Sequence, residues 1–275
     1  MKKFKVGIQL YGVREAMERD FYGTLKALAD MGYEYVEFAG YFGKSGEEIR
    51  KILDELSLKC VSVHQRLDFF DDEPEEKIAF LKAFGVKYVV VPWHDRSALA
   101  GGEGWADTVC DFNKKAKLLS ENGMVLAYHN HDFEFEKHEG RYLHDYIFEA
   151  VTEGRIVPEL DTCWVRYAGI APEEKIREFS GKVEIVHLKD FTAKRLGGGP
   201  VYELIGKEQE ASKEDNGFEF RPLGQGMQDF SKILTACEEC GTEYIIVEQD
   251  NTYGGMTELE AAKISRDYLK SAFNL

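Results

Sequence analysis

Short apolar runs rich in β-branched residues alternate along this chain with longer amphipathic stretches. The short runs are typical of strands, and the stretches repeat apolar positions at i, i+3 and i+4, as a helix with one buried face does. The pattern predicts strands over Phe4–Leu10, Tyr33–Phe38, Lys59–His64, Lys87–Val91, Met124–His129, Ile156–Asp161, Val183–Leu188 and Glu243–Glu248. It predicts helices over Asp20–Met31, Glu47–Leu56, Glu75–Phe84, Trp105–Asn122, Tyr142–Thr152, Glu173–Ser180, Asp229–Glu239 and Thr257–Ser271.

The strict alternation of strand and helix predicts the fold class. Parallel strands need crossover connections, and helices are the usual crossovers. Eight such units in 275 residues predict one α/β domain over residues 1–275, a single (β/α)8 TIM barrel. A doubly wound open sheet is the alternative. It normally carries a glycine-rich turn after its first strand, whereas the segment from Gln9 to Val13 holds one glycine.

Composition narrows the class of partner. Lys and Arg number 35 and Asp and Glu number 50, which gives a formal charge of −15. A nucleic-acid partner needs a basic face, so this balance argues against one. The sequence shows neither the apolar run of about 20 residues that spans a bilayer nor a secretory signal. Five scattered cysteines form no disulfide framework. We therefore expect a soluble, cytoplasmic protein, with a homo-oligomer left open.

Ionisable residues stand where most of the predicted strands end. In a TIM barrel these ends meet at one mouth, which is where the active site lies. One such residue is more often a loop anchor, but several together are costly to bury without a compensating cation. Imidazole and carboxylate ligands together favour one divalent ion of Mn²⁺, Zn²⁺, Co²⁺ or Fe²⁺ over Ca²⁺. The residues are Glu37, His64, His129, His131, Glu159, Asp161, His187, Lys189, Asp190, Glu248 and Asp250.

Several segments, in order along nearly the whole chain, resemble a known superfamily. They are Val63-His64, Tyr128–Phe135 (YHNHDFEF), Glu159–Thr162 (ELDT), His187–Asp190 (HLKD), Leu223–Gly226 (LGQG) and Glu248–Asp250 (EQD). The set resembles the xylose isomerase-like TIM barrels, the sugar phosphate isomerase/epimerase group that also includes endonuclease IV. YHNHDFEF is most similar to the subgroup of inosose dehydratase-like proteins.

The resemblance implies a metal site with one ligand from each of the last four strands. Carried over, the ligands are His129, Asp161, His187 and Glu248. The family usually has glutamate at the fifth-strand position, so His131 or Glu159 could take the place of His129. Endonuclease IV holds a cluster of three metals with many histidines. This chain has Trp164 and Val91–Trp93 where two of those histidines would stand, which disfavours DNA repair.

The resemblance also implies proton transfer next to a carbonyl through an enediolate, by a metal-dependent sugar isomerase or epimerase. A dehydratase of a keto-inositol or 3-keto-sugar using the same metal is the first alternative, and a non-catalytic sugar-binding barrel is the second. The expected substrate is a small, unphosphorylated carbohydrate. The expected catalytic residues are Glu248, Glu159, His131 and Lys189. The expected substrate-binding residues are His64, Arg66, Trp93, Trp164 and Arg221. The loop over residues 195–217 is predicted to lie over the mouth, as a lid.

Overall fold

A computed structural model describes residues 4–199, 201–202 and 215–275. Its centre is a closed barrel of parallel strands in which each strand pairs with the next and the last pairs with the first. The TIM barrel and all eight predicted strands are confirmed. The strands are β1 (Lys5–Gln9), β2 (Tyr35–Phe38), β3 (Lys59–His64), β4 (Tyr88–Val91), β5 (Val125–His129), β6 (Ile156–Asp161), β7 (Ile185–Leu188) and β8 (Tyr244–Val247).

Helices surround this barrel, and each of the eight predicted stretches contains one. Side-chain caps fix several ends, as where Ser45 and Glu48, or Thr257 and Glu260, cap each other's backbone in a capping box. Two short helices, over Arg14–Arg19 and Thr162–Tyr167, were not predicted. In the described ranges the α-helices are α1 (Arg14–Arg19), α2 (Phe21–Met31), α3 (Gly46–Glu55), α4 (Pro74–Ala83), α5 (Trp105–Glu121), α6 (Leu143–Ala150), α7 (Thr162–Tyr167), α8 (Pro172–Glu178), α9 (Phe230–Cys240) and α10 (Glu258–Phe273).

The barrel interior is apolar at the amino ends of its strands. Tyr35, Tyr88, Tyr244 and Ile246 pack there in one buried cluster. Gly7 on β1 leaves them room, because a Cβ at this position would lie 2.6 Å from Cδ1 of Ile246. A second and larger core fills the space between the strands and the helices.

Strand register places polar residues side by side at the carboxyl ends. Gln9 pairs with Glu37, His129 with Glu159, and Asp161 with His187. Register partners on neighbouring parallel strands lie side by side across the sheet. The pairing alone therefore gathers carboxylates and imidazoles into one polar layer above the apolar one.

Two short antiparallel strand pairs lie at this mouth. One joins Lys137–His138 with Arg141–Tyr142, and the other joins Asp190–Thr192 with Glu219–Arg221. The predicted lid falls on residues 195–217, of which residue 200 and residues 203–214 lie outside the described residues.

No helix in the described part of the chain combines the length and apolar character needed to cross a bilayer. The one-domain arrangement, the cytoplasmic location and the absence of a nucleic-acid partner stay predictions.

Candidate active site

Four side chains from the last four strands converge in the mouth of the barrel. They are His129, Asp161, His187 and Glu248. Their candidate ligand atoms lie within 4.8 Å of one another, and each side chain is almost fully buried. The predicted metal ligands are thus brought together.

The chemistry of this donor set fits a divalent transition metal. Ligands about 2.1 Å from an ion lie at most about 4 Å apart, close to the observed spread. Two carboxylates balance the charge of a divalent ion, while two imidazoles supply nitrogen ligands. Burial lowers the pKa of His129 well below its usual value, which keeps this imidazole neutral and able to bind a metal.

A short helix helps to orient Asp161. Oδ1 of Asp161 accepts a hydrogen bond of 3.0 Å from the backbone nitrogen of Trp164, and Asp161 so caps α7. Its Oδ2 lies 3.3 Å from Nζ of Lys189. The cap holds one carboxylate oxygen on the helix and leaves the other pointing at the cluster.

A ring of contacts, in which carboxylates alternate with imidazoles, lies beside this cluster of four side chains. Oε1 of Glu37 lies 3.0 Å from Nε2 of His64 and 2.8 Å from Nε2 of His187. Oε2 of Glu159 lies 2.8 Å and 3.1 Å from the same two nitrogens. Burial would lower the pKa of His187, but Glu159, Glu37 and Glu248 together raise it well above its usual value.

Lys189 lies fully buried among three carboxylates. Its Nζ is 2.8 Å from Glu248, 2.7 Å from Asp250 and 3.3 Å from Asp161. Burial would lower the pKa of Lys189, but these neighbours raise it well above its usual value. Lys189 is therefore a permanent ammonium group. Burial in turn raises the pKa of Asp250 to about 6, although Lys189 opposes this.

A pocket of about 390 Å³ opens above these groups. One part of its wall is aromatic and another is charged. The ring of His131 packs 4.7 Å from that of Trp93, centroid to centroid. The lining residues are Tyr11, Ala39, His64, Pro92, Trp93, His129, His131, Lys189, Glu248 and Asp250. A volume of this size suits a small polar molecule.

Three residues expected to bind substrate lie elsewhere. The side chain of Arg66 is 63% exposed and faces Asp68. Arg221 pairs with Glu219, and its guanidinium stacks on Tyr253. Trp164 is completely buried behind His131, in an aromatic cluster with Phe218. These positions correct the expectation for all three, because none lines the pocket: Arg66 follows β3, Trp164 lies within α7, and Arg221 ends the short strand Glu219–Arg221.

Glu159, expected to act as a base, lies beneath the pocket rather than on its wall. Its nearest neighbours are the nitrogens of His64, His129 and His187. His131, Lys189 and Glu248 do line the pocket, as do the predicted substrate-binding residues His64 and Trp93.

The site also contains Gln9 and Ser62, which were not singled out from the sequence. Gln9 donates a 2.6 Å hydrogen bond to Oε1 of Glu37, and the hydroxyl of Ser62 donates to Oε2. The inward period of two along β1 and β3 is the signal that could have found Gln9 and Ser62, because Gln9 lies two residues after Gly7 and Ser62 lies two residues before His64.

Known proteins resemble this chain in sequence and in fold. An inosose dehydratase of Clostridium perfringens is 23% identical over 94% of this chain and 92% of its own length. A sugar phosphate isomerase/epimerase of Parabacteroides distasonis has a fold similar to this one, with a TM-score of 0.77 at 22% identity, over 99% of this chain and 96% of that one.

A third similar structure, of the IOLI protein, contains a bound zinc atom. It superposes with a TM-score of 0.65 at 17% identity, over 98% of this chain and all of that one. The curated inosose dehydratase relatives confirm the prediction of an enzyme. The family model for the xylose isomerase-like TIM barrel matches residues 25–272, and the chain therefore belongs to that family.

Proposed function

We propose that this protein is a metal-dependent dehydratase of a small, neutral keto-polyol, such as an inosose. The observation that carries the proposal is that Lys189, permanently protonated, and the imidazole of His131 line one pocket beside the metal-binding cluster. A dehydratase needs both a base and a group that assists the departing hydroxyl. Relatives named inosose dehydratase support the same choice.

His129, Asp161, His187 and Glu248 would hold the metal ion. When bound, a divalent ion polarises substrate oxygens and stabilises the negative charge that develops next to the carbonyl. Zinc in the similar IOLI structure supports a metal here without fixing which one.

The proton moves through His131. Its imidazole takes the proton from the carbon next to the carbonyl, and that electron pair forms the new carbon–carbon double bond. The β-hydroxyl leaves as water, with the proton returned by His131. Lys189 donates a hydrogen bond to a substrate oxygen during this step and keeps its own proton. The carboxylate of Glu248 is a weak base, because Lys189 and His187 overcome the effect of burial and hold its pKa well below the usual range.

Charge at the pocket favours a neutral substrate. Lys189 is the one Lys or Arg among the described residues that line it, and three carboxylates already surround this cation. Arg66 and Arg221 point elsewhere. Once Asp161 and Glu248 balance a divalent ion, Lys189 is balanced by Asp250, so no cation is left over for a phosphate group.

An epimerase is the second candidate function, and Asp250 is the observation in its favour. Epimerisation needs a second group that returns a proton to the other face of the same carbon. Asp250 lines the pocket from the β8 side, and burial raises its pKa to about 6, a value suited to proton transfer near neutral pH.

The test loads the protein in turn with Zn²⁺, Mn²⁺ and Co²⁺ and incubates it in D₂O with an inosose, a neutral ketohexose and its phosphate ester. Mass spectrometry of the products should show loss of one water from the inosose. Products of unchanged skeleton that carry deuterium would establish the epimerase or isomerase instead. A metal-loaded protein that exchanges no proton on any of them would overturn the enzymatic proposal.

Asp161→Asn is the matched variant, and Asp54→Asn, on an exposed carboxylate paired with the exposed Arg50, is its control. We expect Asp161→Asn to lose the metal and to slow the reaction by at least about a thousandfold, since several kcal/mol of charge stabilisation disappear. Asp54→Asn should keep both the metal and the rate.

A further inference from the structure

In both imidazoles of the proposed metal site, each of the two ring nitrogens lies near a carboxylate oxygen. On the pocket side, Nε2 of His129 lies 3.8 Å from Oδ2 of Asp161, and Nδ1 of His187 lies 2.9 Å from Oε2 of Glu248. On the inner side, Nδ1 of His129 lies 3.2 Å from Oε2 of Glu159, and Nε2 of His187 lies 2.8 Å from Oε1 of Glu37. Glu159 also lies 3.1 Å from Nε2 of His187, so each imidazole has at least one carboxylate on its inner side.

We propose that Glu37 and Glu159 are a pair of positioning residues that fix the tautomers of the metal-binding histidines. Glu37 keeps the proton of His187 on Nε2, and Glu159 keeps the proton of His129 on Nδ1. The lone pairs of His187 Nδ1 and His129 Nε2 then face the metal. This inference rests on the proposed metal site and assigns Glu159 to positioning instead of proton transfer.

Glu37 is built to hold one geometry. It is completely buried, and Gln9 and Ser62 each donate to one of its oxygens. Burial by itself would raise the pKa of Glu37, but His64 and His187 hold this pKa well below its usual value. A carboxylate fixed in this way behind a ligand imidazole orients the ring and increases its basicity.

His64 connects the two carboxylates. Its Nε2 lies 3.0 Å from Glu37 and 2.8 Å from Glu159, so a single N–H is shared between them. The four contacts that join Glu37 and Glu159 to His64 and His187 involve two ring nitrogens, and each can carry one proton. The four contacts thus form one continuous hydrogen-bonded network, in which Oε1 of Glu159 takes no part.

The competing arrangement is that the metal binds in this inner ring itself. The nitrogens and oxygens of His64, His129, Glu159 and His187 could also surround an ion. However, His129 and His187 belong to both groups, and simultaneous occupation would leave neither of them a proton. The two arrangements differ in whether Glu37 and Glu159 support the ligands or include a ligand.

The test measures metal binding instead of activity. In Glu37→Gln and Glu159→Gln we expect the dissociation constant for Zn²⁺ to rise about 10- to 100-fold, with the visible bands of the Co²⁺ form kept. Glu184→Gln, at the opposite end of β7, is the control and should bind as the unchanged protein does. Loss of the Co²⁺ bands in either site variant, as expected for Asp161→Asn, would show a direct ligand and overturn the proposal, and unchanged affinity in both would overturn it as well.

A second measurement uses the unchanged protein and so does not depend on a variant that folds. Long-range ¹H–¹⁵N spectra of the zinc-loaded chain should show the Nε2–H tautomer at His187 and the Nδ1–H tautomer at His129. The reverse tautomer at either ring would overturn the proposal. Neither readout needs a substrate, so a protein that fails to dehydrate any keto-polyol can still confirm this inference.

Discussion

The two ends of the barrel interior are built from the same strands and differ completely in character. At the amino end, Tyr35, Tyr88 and Tyr244 pack against aliphatic side chains, and the charges stand at the rim, as where Lys5 faces Glu243. At the carboxyl end, carboxylates, imidazoles and Lys189 are buried together.

A step of two residues separates the two layers. Along β2 the inward position changes from Tyr35 to Glu37, along β7 from Ile185 to His187, and the line of β8 runs from Ile246 to Glu248. The apolar layer at the amino end therefore holds the strands together by packing, and the layer at the carboxyl end can bury charges that cost stability.

Replacing the same residue type at both ends should give the largest contrast. In metal-free protein, Lys189→Met leaves three buried carboxylates without their cation, and we expect unfolding to become easier by about 3–5 kcal/mol. Lys5→Met removes a half-exposed partner of Glu243 and should cost less than about 1 kcal/mol. Urea denaturation measures the free energy of unfolding of both variants. An equal decrease in the two would contradict the difference between the two ends of the barrel.

Buried charge should also make the carboxyl end the pH-sensitive one. Burial raises the pKa of Glu134 to about 8 from 4.5, and this carboxyl group accepts hydrogen bonds from the Tyr128 hydroxyl and the His131 backbone. Between these values the folded state holds a proton that the unfolded state releases, so stability falls as the pH rises.

One pH unit of this difference is worth about 1.4 kcal/mol, and we expect a loss of about 3 kcal/mol between about pH 5 and pH 8. Glu134→Gln should flatten this part of the profile. Glu184→Gln at the amino end should not, because hydrogen bonds from Tyr88 and Arg155 outweigh burial and lower the pKa of Glu184, so this group acts on the acid side. An unchanged slope in Glu134→Gln would contradict the assignment.

A polar change at the amino end should have the smallest effect. Tyr244→Phe removes a hydroxyl that lies 3.3 Å from Nζ of Lys5, and stability should change by no more than about 0.5 kcal/mol. Zinc affinity, measured by competition with a chelator, should stay the same. Weaker zinc binding would show that the apolar layer also shapes the site.

Much of the architecture follows from local pattern. The eight strands were predicted because their β-branched runs are bounded by turns, and the helices because their apolar stripes recur with the helical period. The short helix α7 was missed, since its start depends on the cap that Asp161 provides and its six residues carry too little periodicity to detect.

The site was predicted in part. His129, Asp161, His187 and Glu248 stand at strand ends and meet as expected. Arg66 was expected in the pocket because it follows the third strand, and Arg221 because it precedes the LGQG turn, but neither lines the pocket. Glu37 was visible as a strand end, but its role depends on the partners that the closed barrel brings to it.

Local patterns along the chain were enough to predict the fold class, the order of the strands and which strand ends carry ionisable groups, because hydrophobic period and turn residues are local properties. Which of those groups touch became clear only in the folded barrel. Register and barrel closure set Glu37 beside His187, over a separation of 150 residues, and turned Lys189 toward three carboxylates. Distances between residues so far apart follow from packing the whole barrel, and no local pattern contains them.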